Sequence, residues 1–304
     1  MHNKQVKKII DQGRKVVEDF VTMGDDVGRT FYIGRSFNEI RNSIIEEHFD
    51  KICKAFGLNK SPEIRGLFFA AACGSGNEWM EINQLNSSAL LAFLCFCNVS
   101  EENEIEIKGD KYSKVLFEVK SPLDDCKNVP VSNMDIVLLN ENNALFLESK
   151  FSEYMNPKNV RVSSYYNERY IKLFGERVEF ENFQFHHQIW QGSEGKRAYM
   201  EGVKQMISHY LGIRNCINHP KKWKVKELSG KRIKLGEIIY RFGTKDSPAL
   251  EFAHYSRISS ELLGRLKGKD SSIDVIDEVL TYQEIFNGVN AKLINSKIRE
   301  FYGL

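Results

Sequence analysis

Two acidic residues and one lysine occur at a spacing that could support metal-ion chemistry. Asp135 lies in one apolar, strand-like segment, and Glu148 and Lys150 lie near the end of the next one. Between the two segments, residues 140–143 are Asn-Glu-Asn-Asn, residue types that tolerate tight turns. The sequence therefore predicts a β-hairpin that carries Asp135 on its first strand and Glu148 and Lys150 on its second.

The expected register of this hairpin brings the two carboxylates face to face. If the chain folds back between Glu141 and Asn142, Asp135 pairs with Glu148. Two opposed anions among apolar residues are costly, because like charges repel and burial removes their water. The sequence therefore predicts a positive group between them.

Lys150 supplies part of that positive charge. It projects from the same side of its strand as Glu148, yet one ammonium leaves the pair of carboxylates short of one charge. A divalent cation would complete the balance, and carboxylate ligands favour a hard ion, Mg²⁺ with Mn²⁺ as a substitute. Such an ion can make a bound water more acidic and offset charge on a phosphoryl oxygen. Lys150 could then position the attacking water or neutralise developing negative charge.

The segments 133–135 (Asn-Met-Asp) and 148–150 (Glu-Ser-Lys), joined by a hairpin, resemble the motif of the PD-(D/E)xK nuclease superfamily. Methionine stands where the family name has proline, and the resemblance covers about residues 74–242. The family core is a helix, a three-stranded meander, a helix and a further strand. The resemblance implies a Mg²⁺-dependent DNA endonuclease of the restriction, defence or repair type, with Asp135 and Glu148 as metal ligands.

Two helical segments add to the resemblance. Residues 74–78, Gly-Ser-Gly-Asn-Glu, have the form that begins the first core helix of nucleases similar to archaeal Holliday-junction resolvases, where the glutamate reaches the metal through water. The same spacing is that of a helix capping box, so Glu78 has two roles open to it. The helix after the hairpin often carries a glutamine that orients the site. Here it offers Gln205, with His209 one turn later on the same face.

The rest of the chain predicts an α/β fold, with a restriction-endonuclease-like mixed β-sheet core flanked by helices and with helical additions at both ends. In chain order we expect an amphipathic helix within the first 30 residues, a helix that ends at Gly57, a helix from residue 74 to about Cys97, strands between about 104 and 151, a helix over 196–211, a strand over 233–242, and helices over 274–286 and 291–302. No linker rich in Pro, Gly or Ser divides the chain. We therefore expect an N-terminal helical region over 1–73, a nuclease core over 74–245 and a C-terminal helical extension over 246–304, all in one globular unit.

Positive charge is concentrated in one segment, although the net charge of the chain is only +2. Between residues 221 and 234 the chain has one acidic residue, and Trp223 lies within the run. Basic runs with an aromatic residue are typical of contacts with a phosphate backbone, and a solvated hairpin has the same composition. The cations predicted to contact nucleic acid are Lys221, Lys222, Lys224, Lys226, Lys231 and Arg232.

Cysteine usage and hydropathy limit the class of protein. The 6 cysteines are scattered without a CxxC pair, which is typical of a reducing compartment. The longest apolar stretch, 89–97, is far shorter than the roughly 20 residues that a membrane helix needs, and the first residues do not form a secretory leader. We expect a cytoplasmic protein that binds DNA and no membrane, that pairs with a second copy of itself, and that works with a separate methyltransferase or another defence-system component.

Two other functions remain open from the sequence. The first is a nucleic-acid-binding relative of the same fold without activity, against which the presence of Asp135, Glu148 and Lys150 together argues. The second is a glycosidase that uses Asp135 and Glu148 as its acid and base, because their expected separation suits a retaining mechanism. The lysine argues against a glycosidase, since we expect it to hold both carboxylates ionised when one must carry a proton.

Overall fold

The computed structural model describes residues 37–74, 78–125, 129–155, 159–174, 197–243 and 247–304, and all structural statements refer to them. The amphipathic helix expected within the first 30 residues lies outside this part of the chain. Among the described residues, none of the helices combines the length and the apolar character that crossing a membrane requires.

The chain begins with helices that pack together and cover one side of the core. α1 ends where Gly57 adopts a φ of 66°, a left-handed conformation that glycine adopts without strain, and this is the predicted end of that helix. The helix expected from residue 74 to Cys97 is instead two helices, because Ser87 caps a new start by accepting a hydrogen bond from Leu90 N–H. The four helices are α1 (Phe37–Phe56), α2 (Pro62–Ala71), α3 (Glu78–Glu81) and α4 (Ser88–Phe96).

An antiparallel meander follows the helices. A short hairpin of β1 (Ile105–Ile107) and β2 (Asp110–Tyr112) leads into β3 (Lys114–Pro122), β4 (Val131–Leu139) and β5 (Asn143–Lys150). β3 pairs with β4 and β4 with β5, both antiparallel.

The β4–β5 turn has the predicted register. Leu139 pairs with Ala144, and the ladder continues in step to Ile136 and Leu147. The side chain of Asn140 accepts hydrogen bonds from the backbone N–H groups that follow it, so the asparagine closes the turn.

A helical crossover connects β5 to the next strand of the sheet. A separate two-stranded sheet of β6 (Asn159–Val162) and β7 (Arg197–Met200) comes first, with α5 (Ser164–Phe174) between its strands in the chain. The crossover helix α6 (Glu201–Asn218) then leads to β8 (Arg232–Ile239), which is parallel to β5. α6 begins and ends later than the sequence predicted.

α6 lies very close to the sheet. A Cβ atom at Gly212 would be 2.7 Å from the backbone oxygen of Ser121 on β3, so no residue larger than glycine fits there without a shift.

The C-terminal region adds strands to the sheet as well as helices. The expected helix over 274–286 is wrong: β9 (Ile273–Val275) and β10 (Leu280–Thr281) both pair with β8 in parallel. The burial of Ile273 and Val275 around a less buried Asp274 follows the two-residue period of a strand. The other elements are α7 (Ser247–Leu266), α8 (Tyr282–Ile285), a 3₁₀ turn (Gly288–Leu293) and α9 (Ser296–Tyr302).

The described chain is thus a mixed α/β structure with a six-stranded mixed sheet flanked by helices, which confirms the predicted class. The strand order is β10-β8-β5-β4-β3, with β9 on the same edge of β8 as β10. α4 packs on one face of the sheet, where Phe93 meets Phe117 at 6.3 Å between ring centroids. α6 packs on the other face, which carries the side chains of Glu148 and Lys150.

Candidate active site

Four neighbouring strands of the sheet place a carboxylate at the same level, on the face covered by α6. Glu148 on β5 pairs with Glu237 on β8. Asp135 is the next residue of β4 beyond the last paired position, and the register places it opposite Glu148. On β3, Glu118 lies opposite Asp135, between two pairs of the β3–β4 ladder. We call these four residues the carboxylate row.

Glu148 is at the buried centre of the row, and both of its carboxylate oxygens have partners. It is 2% exposed. Its Oε1 accepts a hydrogen bond from Lys150 Nζ at 2.5 Å, and its Oε2 lies 2.7 Å from His209 Nε2. The other ring nitrogen of His209 contacts the hydroxyl of Ser132 on β4. Glu148 is therefore fixed between the sheet and α6.

Lys150 has a second partner on α6. Its Nζ donates to Gln205 Oε1 at 2.8 Å. Because Gln205 and His209 are one turn apart, both reach the site from the same face of the helix. The structure thus brings four predicted residues together: Asp135, Glu148, Lys150 and Gln205.

Asp135 is half-buried and lies nearer to the solvent than Glu148. Its Oδ2 accepts a hydrogen bond from the backbone N–H of Ser149 at 2.7 Å. The side chain of Ser149 points to the other face of the sheet, where its hydroxyl lies 2.7 Å from that of Tyr282. The strand main chain therefore holds one oxygen of the Asp135 carboxylate.

Glu237 is a member of the row that the sequence reasoning missed. It is 2% exposed and accepts hydrogen bonds from the hydroxyls of Tyr255, at 2.8 Å, and Ser259, both on α7. A side chain at Gly202 would collide with the Tyr255 hydroxyl, so this glycine gives the tyrosine room. The available signal was the single acidic residue of the predicted strand 233–242, which lies among mostly apolar residues.

The pKa values of two members of the carboxylate row, Asp135 and Glu237, are raised above their ordinary values. Burial, then the charges of Glu148 and Glu118, raises the pKa of Asp135 well above its ordinary value. Burial also raises the pKa of Glu237, although hydrogen bonds from Ser259 and Tyr255 and the charge of Lys150 oppose the rise.

Glu148 and Lys150 behave as an ion pair. Burial alone would raise the pKa of Glu148, but Lys150 and His209 outweigh it and lower this pKa to about 2. Burial would likewise lower the pKa of Lys150, but Glu148 raises it above its ordinary value. One ammonium thus stabilises Glu148 in its ionised form, while the pKa values of Asp135 and Glu237 stay raised.

The donor set fits a hard divalent cation. Mg²⁺ is usually bound by one or two carboxylates together with waters and substrate phosphates, so Asp135 and Glu148 would suffice. In the part of the chain that the structure describes, no three His, Cys, Asp or Glu side chains converge as a metal site built from protein ligands alone would require. Asp135 and Glu148 are the described residues that would hold the ion.

Glu78, predicted as a further ligand, begins α3. Its side chain lies outside the described residues, as do residues 75–77 before it. Both roles of Glu78, the capping box and the water-mediated contact with the metal, stay predictions.

The basic segment, residues 221–234, begins beside the face of the sheet that α6 covers. It ends at the start of β8, at the opposite end of the strand from Glu148. Trp223 is buried, with its ring centroid 5.6 Å from that of Phe146, so it is part of the core and is not free to stack on a base. Arg232 pairs with Asn143, which precedes Glu148 by five residues, or roughly 16 Å along the strand.

Several cations of this segment already have partners. Lys222 contacts Asp125 at 3.2 Å, and Arg232 contacts Asp274 at 3.5 Å. Lys231 donates to the backbone oxygens of residues 140 and 141, so it fastens the β4–β5 turn. The exposed members are Lys221, Lys224, Lys226 and Arg232. Contact of this segment with nucleic acid stays a prediction.

Comparison of the chain with protein-family models, with curated proteins and with solved structures finds no match. The site geometry therefore carries the functional argument.

Proposed function

We propose that this protein is a Mg²⁺-dependent nuclease that hydrolyses phosphodiester bonds in DNA. One observation carries the proposal: the carboxylates of Asp135, Glu148 and Glu237 lie side by side on three neighbouring strands, with one lysine ammonium, that of Lys150, close to them. Buried carboxylates that lack compensating charge are unfavourable for stability, and such an excess is expected where a cation is to be bound.

The order of the elements supports a restriction-endonuclease-like core. α4 precedes the antiparallel meander of β3, β4 and β5, and α6 then leads to the parallel strand β8. This is the order that the PD-(D/E)xK resemblance implies. The contact between Gln205 and Lys150 also agrees with the role that the resemblance gives to a glutamine on that helix.

Each residue of the site has a distinct task in the proposed reaction. A bound Mg²⁺ would supply a more acidic water and offset negative charge on a phosphoryl oxygen. Asp135 and Glu148 would hold it. His209 and Ser132 fix one oxygen of Glu148, so the other keeps a defined position. Gln205 fixes Lys150 independently of Glu148.

Lys150 acts as a cation in this proposal and not as a base. Its pKa is raised by Glu148, so the ammonium keeps its proton at neutral pH. It can therefore orient the attacking water or offset charge on the phosphoryl group. In the overall reaction the water oxygen bonds to phosphorus, the bond from phosphorus to the leaving sugar oxygen breaks, and the proton lost by the water is balanced by the proton that the leaving oxygen gains. The products are a phosphate monoester and a hydroxyl.

A cleavage panel tests the proposal. Purified protein is incubated with labelled single-stranded, double-stranded and branched DNA and with RNA, in Mg²⁺, in Mn²⁺ and in EDTA. We expect cleavage of at least one DNA substrate with either metal, none in EDTA, and loss of cleavage in Asp135→Ala. The matched control is Tyr282→Phe, which alters the opposite face of the sheet and should cleave as the wild type does. Absence of cleavage of every substrate by the wild type would refute the nuclease and favour the inactive nucleic-acid-binding relative.

A glycosidase is the second candidate, and one observation favours it. The pKa of Asp135 is raised while that of Glu148 is lowered, as in an acid and base pair with divided roles. The expectation that Lys150 holds both carboxylates ionised is therefore not met in the metal-free site. Against a glycosidase, Glu148 is only 2% exposed, and a sugar ring needs far more room beside it than a metal ion does. Glycoside hydrolysis would persist in EDTA, whereas the proposed reaction would not.

A further inference from the structure

A polar groove lies between α5 and α6, beside the loop that follows β3. Its volume is about 400 Å³. α5 and α6 are joined next to it, because the Tyr170 hydroxyl contacts the Ser208 hydroxyl at 3.1 Å. Three cations and two acidic residues line the groove: Arg169, Lys172, Arg214, Asp124 and Glu168.

Arg169 is held rigidly at the wall of this groove. Its guanidinium lies 3.4 Å from the centre of the Tyr165 ring and forms a salt bridge with Asp124. The Tyr165 hydroxyl donates to the same carboxylate at 2.8 Å. The charge of Arg169 is thus largely balanced, and its planar group forms part of a fixed wall.

Lys172 and Arg214 are the two cations of the groove that no salt bridge holds within the described residues, although Arg214 lies near enough to Asp270 to help lower the pKa of that carboxyl. Lys172 is exposed and Arg214 half-buried. Among the residues that the structure describes, neither forms a salt bridge, whereas Lys222, Lys231 and Arg232 of the basic segment have partners. With Arg169 balanced by Asp124, the groove keeps two cations, Lys172 and Arg214, against one acidic residue, Glu168.

The groove begins one to two helical turns from the carboxylate row. Arg214 follows His209 by five residues on α6, which is about 7.5 Å along a helix. Since one DNA strand rises roughly 3.4 Å per nucleotide, this distance corresponds to about two nucleotides. Asn215 anchors the helix here by donating to the backbone oxygen of Pro122 at 2.9 Å.

We propose that this groove binds the sugar–phosphate backbone of the DNA strand that enters the active site, with Lys172 and Arg214 contacting phosphates. The inference rests on the proposed nuclease function and names where its substrate lies. It also assigns the backbone contact to α5 and α6 in preference to the basic segment.

Binding of fluorescein-labelled DNA, measured by fluorescence anisotropy in EDTA over a range of salt concentrations, tests this assignment. EDTA removes any dependence on cleavage. The groove variant is Lys172→Gln with Arg214→Gln. The matched variant is Lys224→Gln with Arg232→Gln, which removes the same charge from the basic segment. Thermal unfolding of both variants checks that they fold.

We expect the groove variant to bind DNA at least tenfold more weakly at low salt. The slope of log affinity against log salt should fall by about 1.4 to 1.8, because each of the two lost phosphate contacts removes roughly 0.7 to 0.9. The matched variant should bind within twofold of the wild type. Equal loss in both variants, loss only in the matched variant, or no loss in either would overturn the assignment.

Hydrolysis of bis-p-nitrophenyl phosphate separates this inference from the proposed function. That small diester cannot reach the groove, so the groove variant should hydrolyse it at the wild-type rate. If the wild type cleaves neither DNA nor the small diester, yet the groove variant binds DNA more weakly as expected, the nuclease proposal is wrong and the assignment of DNA binding to the groove is supported. If the wild type cleaves DNA and the groove variant binds DNA normally, the assignment of DNA binding to the groove is wrong and the nuclease proposal is supported.

Discussion

The two faces of β5 differ in how their polar groups are paired. On the face toward α4, Ser149 and Tyr282 form one neutral hydrogen bond among apolar neighbours. On the face toward α6, Glu148 and Lys150 belong to a row with more negative than positive charge. The neutral pair satisfies itself, as buried polar groups in a core usually do. The groups on the charged face do not satisfy one another in this way. That difference distinguishes a ligand-binding site from a packed core.

The largest expected effect is on cleavage. Lys150→Ala should reduce the rate of DNA hydrolysis by about 10³-fold in Mg²⁺, because it removes the ammonium that lies beside Glu148 and Asp135. Rates are measured by gel with labelled DNA under single-turnover conditions. Tyr282→Phe on the neutral face should stay within twofold. A Lys150→Ala enzyme that cleaves normally would remove the functional distinction between the faces.

The second effect is on stability. Glu148→Gln should lower the free energy of unfolding by about 3 kcal/mol near pH 7, since it breaks a buried ion pair and leaves Lys150 without its main partner. Tyr282→Phe should cost only about 1 kcal/mol, the value of one hydrogen bond. Urea unfolding in EDTA measures both variants. Equal losses of unfolding free energy in the two variants would mean that the ion pair on the charged face contributes no more to stability than the neutral hydrogen bond does.

The stability effect of Glu148 also has a defined pH dependence. The folded-state pKa of about 2 is below the ordinary value of 4.5, so the ionised carboxylate stabilises the folded chain above pH 4.5. That contribution is lost as the pH falls from 4.5 toward 2. The gap between wild type and Glu148→Gln should therefore close over that interval, and a gap that stays constant would contradict the assignment.

A smaller effect is expected on the α6 side of the row. Gln205→Ala should reduce the cleavage rate by about tenfold, because Lys150 keeps Glu148 but loses its second positioning contact. The midpoint of thermal unfolding should change little, since Gln205 is only half-buried. If the rate falls only in proportion to a loss of folded protein, Gln205 has a structural role and does not position the lysine.

The smallest effect has the opposite sign. Asp135→Asn should raise the thermal midpoint of the metal-free protein by a few degrees near pH 7, because burial and neighbouring charge raise the pKa of Asp135. A raised folded-state pKa favours the folded chain below the ordinary value of 3.8, and this advantage disappears as the pH rises. Differential scanning fluorimetry in EDTA between pH 4 and 8 should show the gain of Asp135→Asn shrinking toward pH 4. A loss of stability near pH 7 would mean that the charge of Asp135 is already compensated.

The hairpin at the centre of the site could be predicted from the sequence because its information is local. The apolar strands on both sides of Asn140 show which side chains share a face of the hairpin, and the turn fixes the register of the two strands. Asp135 and Glu148 could therefore be placed opposite each other. The helix carrying Gln205 was also predicted from a pattern within one element.

Partners brought in from distant strands and helices could not be predicted in the same way. Glu237 joins the row through a crossover, and Tyr255 and Ser259 reach it from a helix further along the chain. β9 and β10 were taken for a helix, because two or three residues in a strand give too little periodicity to outweigh helical propensity. Trp223 was expected at the surface beside lysines, but it packs on Phe146.

Binding of Mn²⁺, measured by electron paramagnetic resonance of the free ion, tests the central claim most directly. The claim is that the charge imbalance on one face of the sheet exists to hold a divalent cation. It predicts that wild type and Tyr282→Phe each remove one Mn²⁺ per chain from solution and that Asp135→Asn removes none. Equal binding by Asp135→Asn and wild type, or no binding by wild type at millimolar Mn²⁺, would contradict the account.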